Sequence, residues 1–232
     1  MASIKLKHTS GNGTILNSPA ANPSSDITLK LPSTTGSAGQ VLKIASANHS
    51  STNAELEFAA DVGGKLLQTV TVSDSVRETS GSVSLSSANT YYSTPFAVTI
   101  TPSATSSKIL IMGHMMGESS IGDLYLMFSI KRAISGGSTT AIQAASAGNR
   151  ARGISVFPSG FYNHEAASTP TVINFAGLVD SPNTTSAITY TIQVNSTQNA
   201  SQTFYYNRTV NDSDAIDYER GLSWITAQEI GA

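Results

Sequence analysis

Residues 188–194 read ITYTIQV, and this heptapeptide decides the fold class. Ile188, Tyr190, Ile192 and Val194 fall on one side of an extended chain, with Thr189, Thr191 and Gln193 opposite. Alternation at period two, carried by β-branched and aromatic residues, marks a strand with one buried face. Seven further segments read the same way: 65–72, 95–101, 108–116, 124–131, 171–179, 203–209 and 222–230. Each is short, apolar and bounded by Ser, Asn, Gly or Pro. KILIMGHMM (108–116) and LYLMFSIK (124–131) are apolar on both faces, which places them at the centre of a sandwich or in a subunit interface. Strands of this number and spacing predict an all-β fold, a two-sheet sandwich of jelly-roll type. The longest ambiguous segment is 132–153, where glycines favour a loop over a helical turn at 141–147.

The first sixty residues read differently. Ile4 and Leu6 alternate with Lys5 and Lys7; Ile27, Leu29 and Leu31 alternate with Thr28 and Lys30; Leu56 and Phe58 alternate with Glu55 and Glu57. A further short strand, Val41 to Ile44, follows the GSAGQ turn. Pro19, Pro23 and Pro32 sit between strands or at their ends, where a missing N–H costs little. Apolar positions are few and separated by Asn, Ser, Pro and Gly, so this segment folds only against something else. Asp61-Val62-Gly63-Gly64 is the boundary. The expected organisation is a short β-rich arm over 1–62 and a jelly-roll-type β-sandwich over 63–232.

Composition narrows the function. Charged residues make up 12 % of the chain, about half the usual share. Hydrophobic residues at 39 % and a net charge of −2 separate it from disordered chains. Neutral, Ser/Thr-rich surfaces are common on extracellular and virion β proteins. The absence of cysteine excludes disulfides and thiolate metal sites. No apolar run marks a signal peptide at the N-terminus, and none approaches the roughly 18 residues of a membrane span. The chain is therefore expected to be made in a cytoplasm and not to insert in a membrane. With a pI near 6.0 and no basic cluster, it lacks the footprint of a nucleic-acid binder.

Catalytic and metal-binding chemistry finds no foothold. The histidines His8, His49, His114 and His164 are not at metal-ligand spacing. His114, set among Met112, Met115 and Met116, invites a soft-metal reading. A buried strand with adaptable methionine packing explains it better. The acidic stretch Asn211-Asp212-Ser213-Asp214-Ala215-Ile216-Asp217 lacks the glycine and glutamate of an EF-hand and reads as a solvated loop. No cofactor is implied and no enzymatic activity is expected. Asn-X-Ser/Thr sequons at Asn12, Asn48, Asn183, Asn195, Asn199, Asn207 and Asn211 follow from composition. The better functional signal is aromatic. Tyr91, Tyr92, Phe157, Phe161, Tyr162, Tyr205 and Tyr206 lie at strand ends or in loops, with Arg150 and Arg152 in the central loop. They are candidate receptor contacts, because aromatic rings stack on sugars and anchor protein contacts. Packing in the core or in a trimer interface is the stronger alternative.

Residues 4–44 carry the segment LPSTTGSAGQVL, a strand-LPxxxGxxGQVL-strand unit, followed by the small strand AELEF (54–58). The unit resembles the N-terminal module of tail-fibre-like virion proteins of marine and cyanobacterial bacteriophages. VTITPSATSSKILI (98–111), LVDSPNTTSAITYTIQV (178–194) and YYNRT (205–209) are similar, more weakly, to the C-terminal knobs of phage fibres. The resemblance implies a virion structural protein whose knob is a homotrimeric jelly roll. No shaft repeat or coiled coil separates arm from knob. Two functions follow. In a short tail fibre or spike, the arm docks on other virion proteins and the knob contacts a host surface glycan or protein. In a capsid decoration, cement or head-fibre protein, the chain clamps the shell. A cellular lectin fits less well. Three expectations attach to these readings. Ile109, Ile111, Leu124, Leu126 and Phe128 supply surplus apolar surface for a trimer. Trp224, the only tryptophan, is buried. The arm, not the knob, makes the attachment.

Overall fold

The computed structural model describes residues 3–7, 13–17, 26–60, 65–121, 126–157, 167–198 and 201–231. Leu124, Phe161, Tyr162, His8, His164 and the 61–64 boundary lie outside them. The chain divides into two compact units, Met1–Val62 and Gly63–Ala232.

The first unit holds a hairpin and a small sheet. Strands β1 (Ser3–Lys7) and β2 (Gly13–Asn17) pair antiparallel. The GTILN strand was not expected, because only two of its residues are strongly apolar. Strands β3 (Thr28–Lys30), β4 (Gln40–His49) and β5 (Asn53–Ala60) form a three-stranded sheet in the order β3-β5-β4. β3 runs parallel to β5, and β4 returns antiparallel. Ser50 shapes the tight β4–β5 turn: its hydroxyl accepts from the Asn53 amide at 3.1 Å, and its own amide donates to the Asn53 carbonyl at 2.7 Å.

The second unit is mostly antiparallel strand in a jelly-roll-like β-sandwich, as the alternation predicts. Its first sheet contains β6 (Leu66–Thr71), β7 (Gly81–Leu85), β9 (Lys108–Ser119), β13 (Thr171–Asp180), β15 (Gln202–Tyr206) and β16 (Trp224–Ile230). Long β9 is its axis. β13 lies along one side of β9, and β16 and β15 lie end to end along the other. The second sheet contains β8 (Tyr91–Ile100), β10 (Leu126–Ile134), β11 (Thr139–Ile142), β12 (Ser155–Val156) and β14 (Ile188–Ser196). One short helix, α1 (Asp74–Glu78), links β6 to β7. The ambiguous 132–153 segment contains strand β11 and then irregular backbone, with no helical turn.

The core lies between the two sheets. Ile188, Tyr190, Ile192 and Val194 are all fully buried, on the side their alternation assigned. Phe128, Phe157 and Phe204 meet edge-on or tilted, with ring centroids 5.0–5.5 Å apart. Gly113 faces the core beneath the Phe175 ring, where an added Cβ would lie 2.1 Å from ring carbon Cζ, so only glycine fits. A polar strut ties the sheets together near one end. Asp180 accepts from Arg132 and from the Tyr190 hydroxyl, each at 2.8 Å. Burial and the Asp180 carboxylate both push the Tyr190 phenol well above its ordinary pKa.

Pro95 interrupts edge strand β8 at little cost. The register against β14 shifts between Thr191 and Gln193, which leaves the Ile192 carbonyl without a ladder partner from β8. The buried Thr94 hydroxyl donates to that carbonyl at 2.8 Å. The proline thus sits where a missing N–H is tolerated.

Two expectations are corrected here. Ile109, Ile111, Leu126 and Phe128 all point into this single core and are fully buried within one chain. They supply no surplus surface for a trimer. Trp224 is half-buried, not buried: alternation sends Ile225 and Ala227 inward and Trp224 to the outer face of the sheet.

Candidate assembly surfaces

In the arm, register decides which side chains share a face. β5 places Ala54, Leu56 and Phe58 on one side, opposite Leu29 of β3 and opposite Ile44 and Leu42 of β4. Lys30, Lys43, Glu55 and Glu57 fall on the other side, where Lys43 and Glu57 approach to 3.7 Å. One face is therefore apolar and uncharged, and the other carries all four charges. The apolar face is open: Leu29 is 61 % exposed and Ile44 53 %. Only a corner is capped, where the Gly36 turn packs on the Phe58 ring so closely that a Cβ there would lie 2.6 Å from ring carbons.

The outer face of the six-stranded sheet is the second apolar surface. Leu110, Met112 and His114 point outward from β9 and are half-buried. Facing them are Val179 and Asn174 from β13 and Thr226 and Trp224 from β16. Trp224 stacks on the His114 imidazole at 6.4 Å and 16°. The imidazole Nδ1 donates to Asn174 Oδ1 at 2.7 Å, which fixes the ring. Val179, 56 % exposed opposite Leu110, and Val172, exposed opposite Met116, extend the patch at its two ends. β9 is apolar on both faces as its sequence indicates, but Ile109 and Ile111 face inward and the even-numbered positions face out. The outward set is Leu110 and Met112, and the signal was the even-numbered positions of KILIMGHMM.

Beyond Met116 the same face is covered by loops, and buried Glu118 holds them down. One of its carboxylate oxygens accepts from the Thr169 amide and hydroxyl, each at 2.9 Å, and the other accepts from the Val210 amide at 2.7 Å. Buried Asn207 adds a junction. It donates to the carbonyls of Arg77 and Thr79 at 2.6 and 2.9 Å and accepts from the Ser223 hydroxyl at 2.6 Å. With every amide atom engaged inside the protein, the sequon at Asn207 is closed to modification.

The second buried carboxylate is Glu229, on the inner side of β16. It accepts from the Ser103 amide and hydroxyl and from Gln68, each at 2.6 Å, and from the Ser107 hydroxyl at 2.7 Å. Burial pushes its pKa up, but these donors outweigh burial and bring it to about 2.

Three of the seven described candidate receptor contacts, Tyr92, Phe157 and Tyr206, turn inward. Phe157 is 3 % exposed and belongs to the core, because β12 carries it under β10 as an extra strand end. Tyr206 packs edge-on against Phe96 at 5.5 Å. Tyr92 packs against the core, and its hydroxyl meets Ser86 at 2.8 Å. Tyr91 is half-buried and donates to the Arg152 carbonyl, and burial raises its phenol pKa. This pins the central loop to the outer face of the second sheet. Arg150 is exposed and Arg152 half-buried. Tyr205 is half-buried on the outer side of its sheet, with the Arg208 guanidinium 4.4 Å from its ring centre. The seven candidates among the described residues do not converge on one site. In the acidic loop, Asp212 is held by Arg220 at 2.6 Å and Arg208 at 3.7 Å, and Asn211 Oδ1 closes a turn by accepting from Ser213. Ile216 stands at the loop tip, 98 % exposed. No cluster of three His, Asp or Glu residues suited to a metal ion occurs among the described residues.

No protein-family model and no curated protein matches the chain. Among solved structures, it is similar to that of infectious bursal disease virus Gt strain, at 15 % identity and a TM-score of 0.36. That match covers 81 % of this chain and 46 % of the other. The Gx strain structure is 12 % identical, with 76 % and 42 % covered and a TM-score of 0.34. The VP2 subviral particle of the same virus is 14 % identical, with 81 % and 45 % covered and a TM-score of 0.33. The chain spans less than half the length of each. Superpositions this loose leave function to be argued from the residues of this chain.

Proposed function

We propose that this chain is a structural protein of a virus particle, attached through its arm and lying against the shell as a decoration or cement protein. The observation that carries this reading is the uncovered apolar face of the arm sheet, with Leu29, Leu42 and Ile44 exposed and every charge on the opposite side. A face of that kind is an assembly surface. The outer patch around Met112 and Trp224 gives the sandwich a broad neutral surface of its own. A host-contacting fibre tip calls for aromatic loops held outward, and here Phe157, Tyr92 and Tyr206 are spent on packing. Among the described candidates the fibre reading keeps Tyr91, Tyr205, Arg150 and Arg152, with Arg208 beside Tyr205. Trimerisation through the sandwich rests on the resemblance to phage knobs, since the residues that argued for it fill the core of one chain. The test is assembly of particles with a chain that starts at Gly63. The proposal expects the truncated protein to be missing from purified particles, whose shells should melt earlier. Retention at normal copy number would move attachment to the sandwich.

A further inference from the structure

We infer that the apolar face of the arm's three-stranded sheet is covered by the same face of a second copy of this chain. The inference rests on the proposed function and names what this face meets on a particle, the arm of a neighbouring copy, so that attachment through the arm is attachment to other copies. It is tested on the isolated protein. Its failure and the failure of attachment to a particle are therefore separate results.

Two observations support it, and a third sets its strength. First, the arm does not cover this face itself. Leu29 and Ile44 are more than half exposed, and Leu42 is half exposed. A sheet this small draws its stability from its hydrophobic face, which gains when another layer covers it. Second, the face matches itself. A two-fold contact sets a patch against its own copy, so the patch must tolerate its own chemistry. Leu29, Leu42, Ile44, Ala54, Leu56 and Phe58 bring no charge to the contact, while Lys30, Lys43, Glu55 and Glu57 remain on the solvent side. Two such sheets pack face to face about 10 Å apart, as the halves of a sandwich do. Third, size limits the strength. Three strands, the longest shared pairing running along the eight residues of β5, give a footprint of roughly 14 Å by roughly 26 Å. That is less than half of the roughly 800 Å² per partner of a standard stable interface. The contact therefore forms and dissociates with concentration and is reinforced where many copies are held close together.

The cysteine-free chain makes the test clean. Leu29→Cys and Lys30→Cys sit side by side on β3, both exposed, on opposite faces. Treated with a short bis-maleimide, the intact Leu29→Cys chain should give covalent dimers in a yield that rises with concentration, and Lys30→Cys should give few. Equal yields at the two positions, or no dimers at either, would overturn the inference. A second variant guards against a misfolded arm. Sedimentation of the intact wild-type chain should show a mass that climbs with concentration, and Leu42→Ser/Ile44→Ser should stay monomeric with the sandwich still folded. Unchanged self-association in that variant would also overturn it.

Discussion

The sandwich and the arm are built from the same period-two alternation, yet one buries its apolar residues and the other leaves them in water. β14 sends Ile188, Tyr190, Ile192 and Val194 into a core completed by a second sheet of the same chain. β5 sends Leu56 and Phe58 to a face on which Leu29, Leu42 and Ile44 stay half or more exposed. Alternation specifies a face. Whether that face becomes a core depends on whether the chain supplies the opposing layer. Where it does, the face becomes a core; where it does not, the face stays open to a partner.

The sharpest way to break this contrast is to cut the sandwich core. Phe204 is fully buried, with its ring 5.5 Å from both Phe128 and Phe157. Phe204→Ala should cost about 3–5 kcal/mol, read as a large fall in the denaturant midpoint of the cooperative transition. Glu229→Gln comes next, at about 2 kcal/mol, because it removes charge-assisted hydrogen bonds from Ser103, Ser107 and Gln68 in a dry site. The carboxylate also sets an acid limb. Folding lowers its pKa from the ordinary 4.5 to about 2. Its stabilisation is therefore complete above pH 4.5 and is lost as the pH falls through that window. Thermal melts from pH 7 to pH 2 should show this limb in the wild type and a flatter one in Glu229→Gln.

Trp224 lies between the two regimes. It sits half-buried on an outer face, stacked on His114, so Trp224→Ala should cost about 1–2 kcal/mol, less than a core aromatic. Its fluorescence should be quenched by small neutral quenchers to a degree between free indole and a fully buried ring. The smallest effect belongs to the arm. In dilute solution Leu42→Ala should leave the sandwich transition within about 0.5 kcal/mol of the wild type, because Leu42 is half exposed on an uncovered face.

Much of the sandwich was legible in advance. Strands such as 188–194 and 171–179 announce themselves through β-branched and aromatic residues and clear turn boundaries. The weaker ones did not: β7 (GSVSL) has two apolar residues, and β2 (GTILN) is flanked by the same polar runs that mark loops. Facing was harder than existence. On β9 every position from Ile109 to Met112 is apolar, so composition could not say which parity faces inward, and the register against β16 and β13 decides it. Two of the candidate contact residues turn inward for a related reason. Phe157 and Tyr206 follow short or irregular strands, and an aromatic at a strand end is exposed or buried according to what lies across from it, here Phe128 and Phe96. The buried carboxylates Glu118 and Glu229 were invisible because their donors, Thr169, Val210, Ser103 and Gln68, are distant in sequence. The open apolar face of the arm was legible, since alternation in so short a segment already left no room for a second layer.

Amide hydrogen exchange on the intact chain, followed from dilute to concentrated solution, tests the central claim most directly. Sandwich amides such as those of Ile111 and Ile192 should be strongly protected at every concentration. Arm amides such as those of Leu42 and Leu56 should exchange quickly when dilute and gain protection as the concentration rises. Arm amides protected to the same degree as the sandwich in dilute, monomeric protein would contradict it, because the arm would then hold its structure without a partner.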